Sequence, residues 1–365
     1  MPRDKVLLVI IRNFGKSCPD PRSVLEEMTE LVESAQGFVA GNLTANVPQP
    51  NASHFIRGGK IAEIREAIAR TGANVLVFSV DLTPAQARNL EASCGIRIVD
   101  RTGLILDIFA RRAISSDGKL QVELAQMQYL LPRLLGLGVI LSRLGGGIGT
   151  RGPGEQMQEV DRRKIQRRIE SIKGQLEKLR THRAQLRQGR RQKGLKQVAI
   201  VGYTNAGKST LLNALTGADA YVENRLFATL DPKTRIYEDG KGPAILFTDT
   251  VGFIRNLPHG LVKAFHATLE EVLDADLILI VIDAASEHGT EHKRVVLEVL
   301  QELGAEAKIK MVALNKTDLL PDEAKVRLAD LFPGGLLISA AEKQGIPELI
   351  EAIRELMMRD PVPPL

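Results

Sequence analysis

Nine consecutive residues hold most of the chemistry this chain can offer: Gly202-Tyr203-Thr204-Asn205-Ala206-Gly207-Lys208-Ser209-Thr210. The apolar run Val198–Val201 precedes them as a strand, and Leu211–Leu215 continues from them as a helix. Gly-x-x-x-x-Gly-Lys-Ser between a strand and a helix is a phosphate-binding loop. Its glycines let several backbone N–H groups turn toward one phosphate, beside the positive end of a helix. Lys208 is placed to reach the β/γ-phosphates and the Ser209 hydroxyl to complete a Mg²⁺ shell. Taken alone, the stretch also fits a plain glycine turn.

Four downstream stretches narrow the choice. Asp249-Thr250-Val251-Gly252 follows the strand 244–248, with Asp249 expected to hold Mg²⁺ through water and the Gly252 N–H to meet the γ-phosphate. Phe227-Ala228-Thr229 lies in an irregular stretch before it, and Thr229 is the expected switch threonine that joins Mg²⁺ only with the γ-phosphate present. Asn315-Lys316-Thr317-Asp318 follows the strand 310–314. The Asp318 carboxylate can accept from the guanine N1–H and its exocyclic amine, which adenine cannot supply. Ser339-Ala340 follows the strand 336–338 and is expected to offer a backbone N–H to the guanine oxygen. In this order, each at the carboxyl end of a strand, the pieces imply Mg²⁺-dependent hydrolysis of GTP to GDP, with Lys208, Thr229 and Gly252 at the reacting phosphate.

Two residues qualify that reading. After Gly252, where many regulatory GTPases carry a water-orienting glutamine, stands Phe253. A phenyl ring cannot orient water, so slow intrinsic hydrolysis and an external activator are expected. Asn205 matches the position that binds a monovalent cation in potassium-activated GTPases, so K⁺ is a candidate ligand; a turn-favouring Asn explains the residue equally well.

The elements around this site read as three parts. Residues 1–116 alternate strands (5–11, 75–80, 96–99) with helices (21–34, 60–71, 83–93), as a small α/β domain with a mostly parallel sheet does. Its Gly58-Gly59-Lys60 turn opens a helix and could hold a phosphate, although such turns usually do no more than start the helix. In 117–195 the period changes: Leu120, Leu124, Met127, Leu131, Leu134 and Leu141 form one heptad stripe, and Ile165, Ile169, Ile172, Leu176, Leu179 and Leu186 another. Two such stripes around the Gly-rich loop 145–154 predict an antiparallel helical hairpin, the first helix kinked or broken at Pro132 and Gly136. The polar linker 188–194 leads into the third part, 196–365, the P-loop domain with its mostly parallel sheet.

Charge distribution suggests a partner. Between Arg151 and Lys196 lie fifteen Lys/Arg against five acids, on a chain whose total charge is only +5, so the remainder is acidic. Either this is a solvated spacer face or it meets a polyanion, and the excess of one sign favours an RNA backbone, with Arg151, Arg162, Arg163, Arg167 and Arg168 as contacts. Aromatics make up 4% with no Trp, which argues against a stacking platform for single strands. The cysteines, Cys18 and Cys94, are far apart and fit a reducing cytoplasm. The run Val6–Ile11 is too short for a signal peptide and reads as a strand, and no apolar stretch is long enough to span a membrane.

With these residues assembled, the chain resembles the HflX-type GTPases of the translation-factor class. The resemblance rests on residues 202–210, Glu223–Asp231, Asp249–Ile254 and the loop sequence Gly149-Thr150-Arg151-Gly152-Pro153-Gly154-Glu155. It covers essentially the whole chain. It implies an N-terminal α/β domain, a helical hairpin and a GTPase domain that together bind the large ribosomal subunit (50S, or the 70S particle) through rRNA; a monomeric, cytoplasmic protein is expected. It further implies hydrolysis stimulated by the ribosome, an apolar residue at the Phe253 position and, in some members, splitting of stalled ribosomes. A GTP-regulated RNA-remodelling or RNA-modification factor, and a signalling switch that binds protein through the hairpin, are the alternatives; no Cys, His or carboxylate cluster in residues 1–116 supports a second active site.

Overall fold

The computed structural model describes residues 3–12, 20–134, 153–192, 195–217, 226–227, 229–255 and 266–358. They fall into two compact units, Met1–Glu177 and Lys178–Leu365. Among the described residues no helix is long and apolar enough to cross a membrane.

The first unit is built on a four-stranded parallel sheet, β1 (Lys5–Arg12), β2 (Phe38–Asn46), β3 (Val75–Phe78) and β4 (Arg97–Val99), in the order β2-β1-β3-β4. Strand β1 is buried from Val6 to Ile11, the continuous apolar run that a parallel strand covered on both faces requires. Its helices start where local chemistry says they should. Asp20 caps Pro21–Ser34 and accepts the Arg22 N–H. Thr83 and Gln86 form a reciprocal capping box on Pro84–Cys94. Asp100 caps Arg101–Arg112. The expected elements appear with ends shifted by a residue or two; the strand at 75–80 stops at Phe78, and the helix at 60–71 begins at Gly58. The edge strand β2 and the helix Arg101–Arg112 are additions to the sequence reading.

The helices Ser116–Leu134 and Pro153–Gln192 follow. Leu124, Ile169 and Ile172 are buried together, with Leu120, Met127, Leu131, Ile165 and Leu176 packed against them, so parts of both heptad stripes face one another. Arg168 makes a bidentate pair with Glu123 at 2.6 and 2.8 Å across the same contact. Pro132 sits inside the last described turn of Ser116–Leu134 without ending it; Gly136, Leu141, Arg151 and the loop 145–152 lie outside the described residues.

The second unit carries a six-stranded sheet: β5 (Lys196–Gly202), β6 (Lys233–Tyr237), β7 (Ile245–Asp249), β8 (Leu277–Asp283), β9 (Ile309–Asn315) and β10 (Leu336–Leu337). The order is β10-β9-β8-β5-β7-β6, parallel except for the β6–β7 pair. Strands β5 and β8 are central and almost wholly buried. The helices Lys208–Thr216 and Ile346–Met358 pack onto them through Leu211, Leu215, Leu349 and Ile353. The carboxyl ends of β5, β7, β9 and β10 therefore sit along one edge, where the order of strands in an open α/β sheet leaves a crevice for ligands.

Candidate functional site

Strand β5 ends at Gly202, where a Cβ would lie 2.3 Å from the Val281 carbonyl oxygen of β8, so only glycine fits. The chain then turns through Asn205 and Gly207, both at positive φ (62° and 89°), and enters the helix Lys208–Thr216. Gly207 is held as glycine twice over, by that φ and by a Cβ that would meet Asn315 Nδ2 at 2.2 Å. An asparagine tolerates the left-handed region better than most residues, so the turn alone is a sufficient reason for Asn205.

The Lys208 side chain is buried beneath this loop and donates to the carbonyls of Gly202 (3.2 Å) and Tyr203 (2.8 Å). Burial pushes its ammonium down to about 8, against the pull of Asp249, with Lys316 lowering it further. At the first helical turn Ser209 Oγ donates to Asp249 Oδ2 at 2.6 Å and shares a 2.8 Å hydrogen bond with Thr229 Oγ1. Asp249 is fully buried, which raises its carboxyl against the opposing charge of Lys208. Its other oxygen, Oδ1, is buried with no hydrogen-bond partner among the described residues. Two hydroxyls and an unsatisfied carboxylate oxygen meeting beside a lysine form an oxygen-donor set that suits Mg²⁺. Ser209, Thr229 and Asp249 would hold the ion.

The segment after β7 is fastened to the phosphate loop by its backbone. Thr250 donates through N (3.3 Å) and Oγ1 (2.8 Å) to Ile200 O, Phe253 N to Gly202 O (3.0 Å), and Thr204 N to Phe253 O (2.8 Å). Gly252 is pressed so closely that a Cβ would lie 2.9 Å from Thr204 and 3.0 Å from Lys208 Nζ. Val251 and Phe253 are buried, the phenyl ring completely. Phe227 is buried at φ 56°, Thr210 is half-buried in the helix, and Ala228 lies outside the described residues.

Asn315 joins the phosphate half of the site to the base half. Its Nδ2 donates to Ala206 O (2.9 Å), and its Oδ1 accepts the Ala340 N–H (2.9 Å). Ser339 N–H is bonded to Gln344 O (3.0 Å), so both backbone N–H groups of Ser339-Ala340, one of which is expected to meet the guanine oxygen, have partners inside the protein. Asp318 is exposed and accepts from Ser339 Oγ at 2.6 Å, which fixes its carboxylate; Lys316, at φ 66°, pairs with Asp283 at 2.6 Å. Asp283 was missed by the sequence reading as a site residue. The signal was present in a carboxylate that closes the otherwise apolar strand β8. Tyr203 carries a second missed contact: its ring stacks on His292 (3.9 Å, 12°), and its hydroxyl accepts the Arg255 N–H (3.1 Å).

Two expected results follow. Asn315→Ala leaves Ala206 O and Ala340 N–H buried without partners, so stability should fall by about 2–5 kcal/mol; chemical denaturation measures it. For Lys208, the folded value lies below the 10.5 of the free side chain. The ligand-free protein therefore gains stability as pH rises from about 8 to about 10.5. A bound phosphate favours the ammonium, so GDP affinity measured without metal should be flat below a pH of about 8 and fall above it, with proton uptake near that pH. Calorimetry in two buffers of different ionisation enthalpy reads the uptake, and affinity unchanged to a pH of about 9.5 would contradict the assignment.

The sequence matches three families in succession: one described as GTP-binding GTPase N-terminal over residues 22–110, one as GTP-binding GTPase Middle Region over 112–190, and one as 50S ribosome-binding GTPase over 197–316. A GTPase HflX of Caldanaerobacter subterraneus is 49% identical over 364 residues, 99% of this chain and 82% of its own length. That of Escherichia coli is 46% identical over 333 residues, 91% of this chain and 78% of its own. Among solved structures, the crystal structure of an SsGBP and GDP complex aligns at TM-score 0.50 and 26% identity, over 97% of this chain and 98% of that one. Identity at this level along nearly the whole length, with a phosphate loop, a guanine-type Asn-Lys-Thr-Asp loop and their connecting sheet in place, means that the chain belongs to the HflX family of GTPases.

Proposed function

We propose that this GTPase, in its GTP-bound form, associates with the large ribosomal subunit through rRNA and splits or rescues stalled ribosomes, and that the ribosome stimulates its hydrolysis. The observation that carries the reading is the basic helix Pro153–Gln192. On it Ile169 and Ile172 turn inward, while Arg162, Arg163, Lys164 and Arg167 are exposed. A dense run of exposed cations is what a phosphate backbone recognises. Arg168, on the same helix, is held by Glu123. The match of residues 197–316 to 50S ribosome-binding GTPases supports the same partner. In this reading residues 1–116, 117–195 and 196–365 act as three parts of a monomeric, cytoplasmic protein, and Arg151 with the Gly-rich stretch 145–154, whose Pro153 and Gly154 open the helix, also meets the RNA.

The mechanism is one of positioning. Lys208 moves its ammonium from the Gly202 and Tyr203 carbonyls to the β/γ-phosphates, the Gly252 N–H faces the γ-phosphate, and Asp318 selects the base. Mg²⁺, held by Ser209, Thr229 and Asp249, would neutralise phosphate charge; K⁺ at Asn205 would add to that. What the chain lacks at this position is a group to orient the attacking water, since Phe253 is buried and bears no polar atom. Intrinsic turnover should then be on the order of 10⁻³ s⁻¹ and rise steeply with ribosomes. Sedimentation with 50S subunits across a salt series, alongside single-turnover hydrolysis, tests both halves. GTP-dependent, salt-sensitive co-sedimentation with accelerated hydrolysis is expected. No association at low salt, or fast hydrolysis by the protein alone, would overturn the reading.

A further inference from the structure

Tyr203 stands second in the phosphate loop, and its side chain joins three segments. It is buried, and its ring lies flat on His292 of the helix Gly289–Glu302, 3.9 Å away at 12°. His288 stands edge-on to His292 from the cap of the same helix (6.2 Å, 62°). The Tyr203 hydroxyl accepts the Arg255 N–H at 3.1 Å. The Arg255 side chain, itself buried, reaches both carboxylate oxygens of Glu291 at 3.4 Å. The phosphate loop, the segment after β7 and a helix from which no nucleotide contact is expected are thus fastened at one point.

The backbone shows what this joint holds. Tyr203 and Phe253 pair as parallel strands at a single bridge, closed by Phe253 N donating to Gly202 O (3.0 Å) and Thr204 N to Phe253 O (2.8 Å). Two residues further on, the Arg255 N–H is the one that the Tyr203 hydroxyl takes. Gly252 immediately precedes the bridge and stands beside the phosphate lysine, where a Cβ would lie 3.0 Å from Lys208 Nζ. With the chain pinned at 253 and 255, the Gly252 peptide is in place before any phosphate arrives. That is the condition under which a backbone donor acts on phosphate charge without reorganising. A buried tyrosine hydroxyl usually finds some partner. Here the partner is the backbone of the segment that carries Gly252.

We propose, on the reading in which the Gly252 N–H faces the γ-phosphate, that Tyr203 is a positioning residue for that contact. It acts through the Arg255 N–H, and His292 and Glu291 back it from the helix Gly289–Glu302. The helix thereby takes part in telling GTP from GDP, since GDP has no γ-phosphate for Gly252 to meet. Tyr203→Phe keeps the ring and its stack and removes only the acceptor, so the Arg255 N–H is left buried and without the hydroxyl. The loss then falls on the triphosphate alone.

The deciding quantity is the ratio of affinities for a non-hydrolysable GTP analogue and for GDP, measured by calorimetry on the full chain with Mg²⁺, beside single-turnover hydrolysis at saturating GTP. Tyr203→Phe should weaken the analogue by roughly threefold to tenfold, leave GDP within about twofold, and slow hydrolysis by at least the first factor. His292→Ala, which withdraws the support under the ring, should move the ratio the same way by a smaller factor. Gly252→Ala is the reference, with the largest selective loss of the analogue. A tyrosine that serves only the fold would lower the melting temperature and leave the ratio alone, which overturns the proposal. A rise in analogue affinity or in hydrolysis also overturns it, as the sign of a brace that holds the segment away. If Gly252→Ala leaves the ratio unchanged, the γ-phosphate reading of Gly252 fails and the proposal with it. If Gly252→Ala shifts the ratio and Tyr203→Phe does not, the brace alone fails. Should Tyr203→Phe not melt cooperatively, His292→Ala decides, and an unchanged ratio in that variant overturns the proposal.

Discussion

Lys208→Ala should lower single-turnover GTP hydrolysis by roughly 10²–10³-fold, the scale of losing one preorganised electrostatic donor at a reacting phosphate, while the folded protein is kept. The second half of that expectation comes from the environment of the lysine. Its ammonium is buried and held at about 8, so in the ligand-free protein at neutral pH it is a destabilising charge whose desolvation two carbonyls and the attraction of Asp249 offset only in part. Removing it relieves desolvation, and the melting temperature of the ligand-free variant should equal or exceed that of the parent. The protection that GDP confers on the parent should at the same time largely vanish. Calorimetric melting with and without GDP, beside the hydrolysis assay, reads both quantities. Hydrolysis retained within tenfold, or a ligand-free variant that melts well below the parent, would show that the lysine serves the fold and not the phosphates.

Asp318→Asn should weaken GTP binding by roughly 10²–10³-fold and turn the preference toward the xanthine nucleotide. The direction follows from Ser339. Its hydroxyl donates to Asp318 Oδ1, and in the variant it keeps the amide oxygen on that side, so the amide nitrogen is the atom turned outward. An N–H₂ facing the guanine amine sets donor against donor. Facing the C2 carbonyl of xanthine, the same group makes a hydrogen bond. Competition binding with GDP and the xanthosine diphosphate measures the ratio, and Asp318→Asn combined with Ser339→Ala should blur it, since the amide is then free to rotate. An unchanged preference would place base recognition elsewhere.

The parts of this site that could be read in the sequence are those in which chemistry restricts residue type over a short span. Glycines at 202 and 207, Lys208, Ser209, Asp249, Gly252 and Asp318 all belong to that class, and the structure brings their segments to one edge of one sheet. Contacts that depend on distant segments were hidden. Asn315 reaches back to Ala206 across 109 positions and forward to Ala340 across 25, and nothing local in Asn-Lys-Thr-Asp says that its first residue is a clamp. The fold shows the same division. Buried strands such as β1, β5 and β8 announce themselves by unbroken apolar runs. Strand β2 escaped because Gly41, Asn42 and Asn46 dilute its pattern at a half-exposed edge. The helix Arg101–Arg112 escaped because Leu104–Leu106 with Ile108–Phe109 is nearly continuous apolar sequence, which periodicity alone cannot divide between helix and strand.

The close approach of Gly202 to the Val281 carbonyl has a consequence for how this protein can vary. It ties the height of the nucleotide loop to the peptide backbone of β8 and not to any side chain. Leucines, valines and isoleucines along β8 can therefore be exchanged for one another, moving packing energy but not the coordinate origin from which the loop, its lysine and its serine are measured. Lineages of this protein are free to drift in the apolar lettering of that strand while position 202 stays shut to every side chain. A library that varies Leu279 and Ile280 among apolar residues should accordingly yield many active clones, whereas one randomised at Gly202 should return glycine.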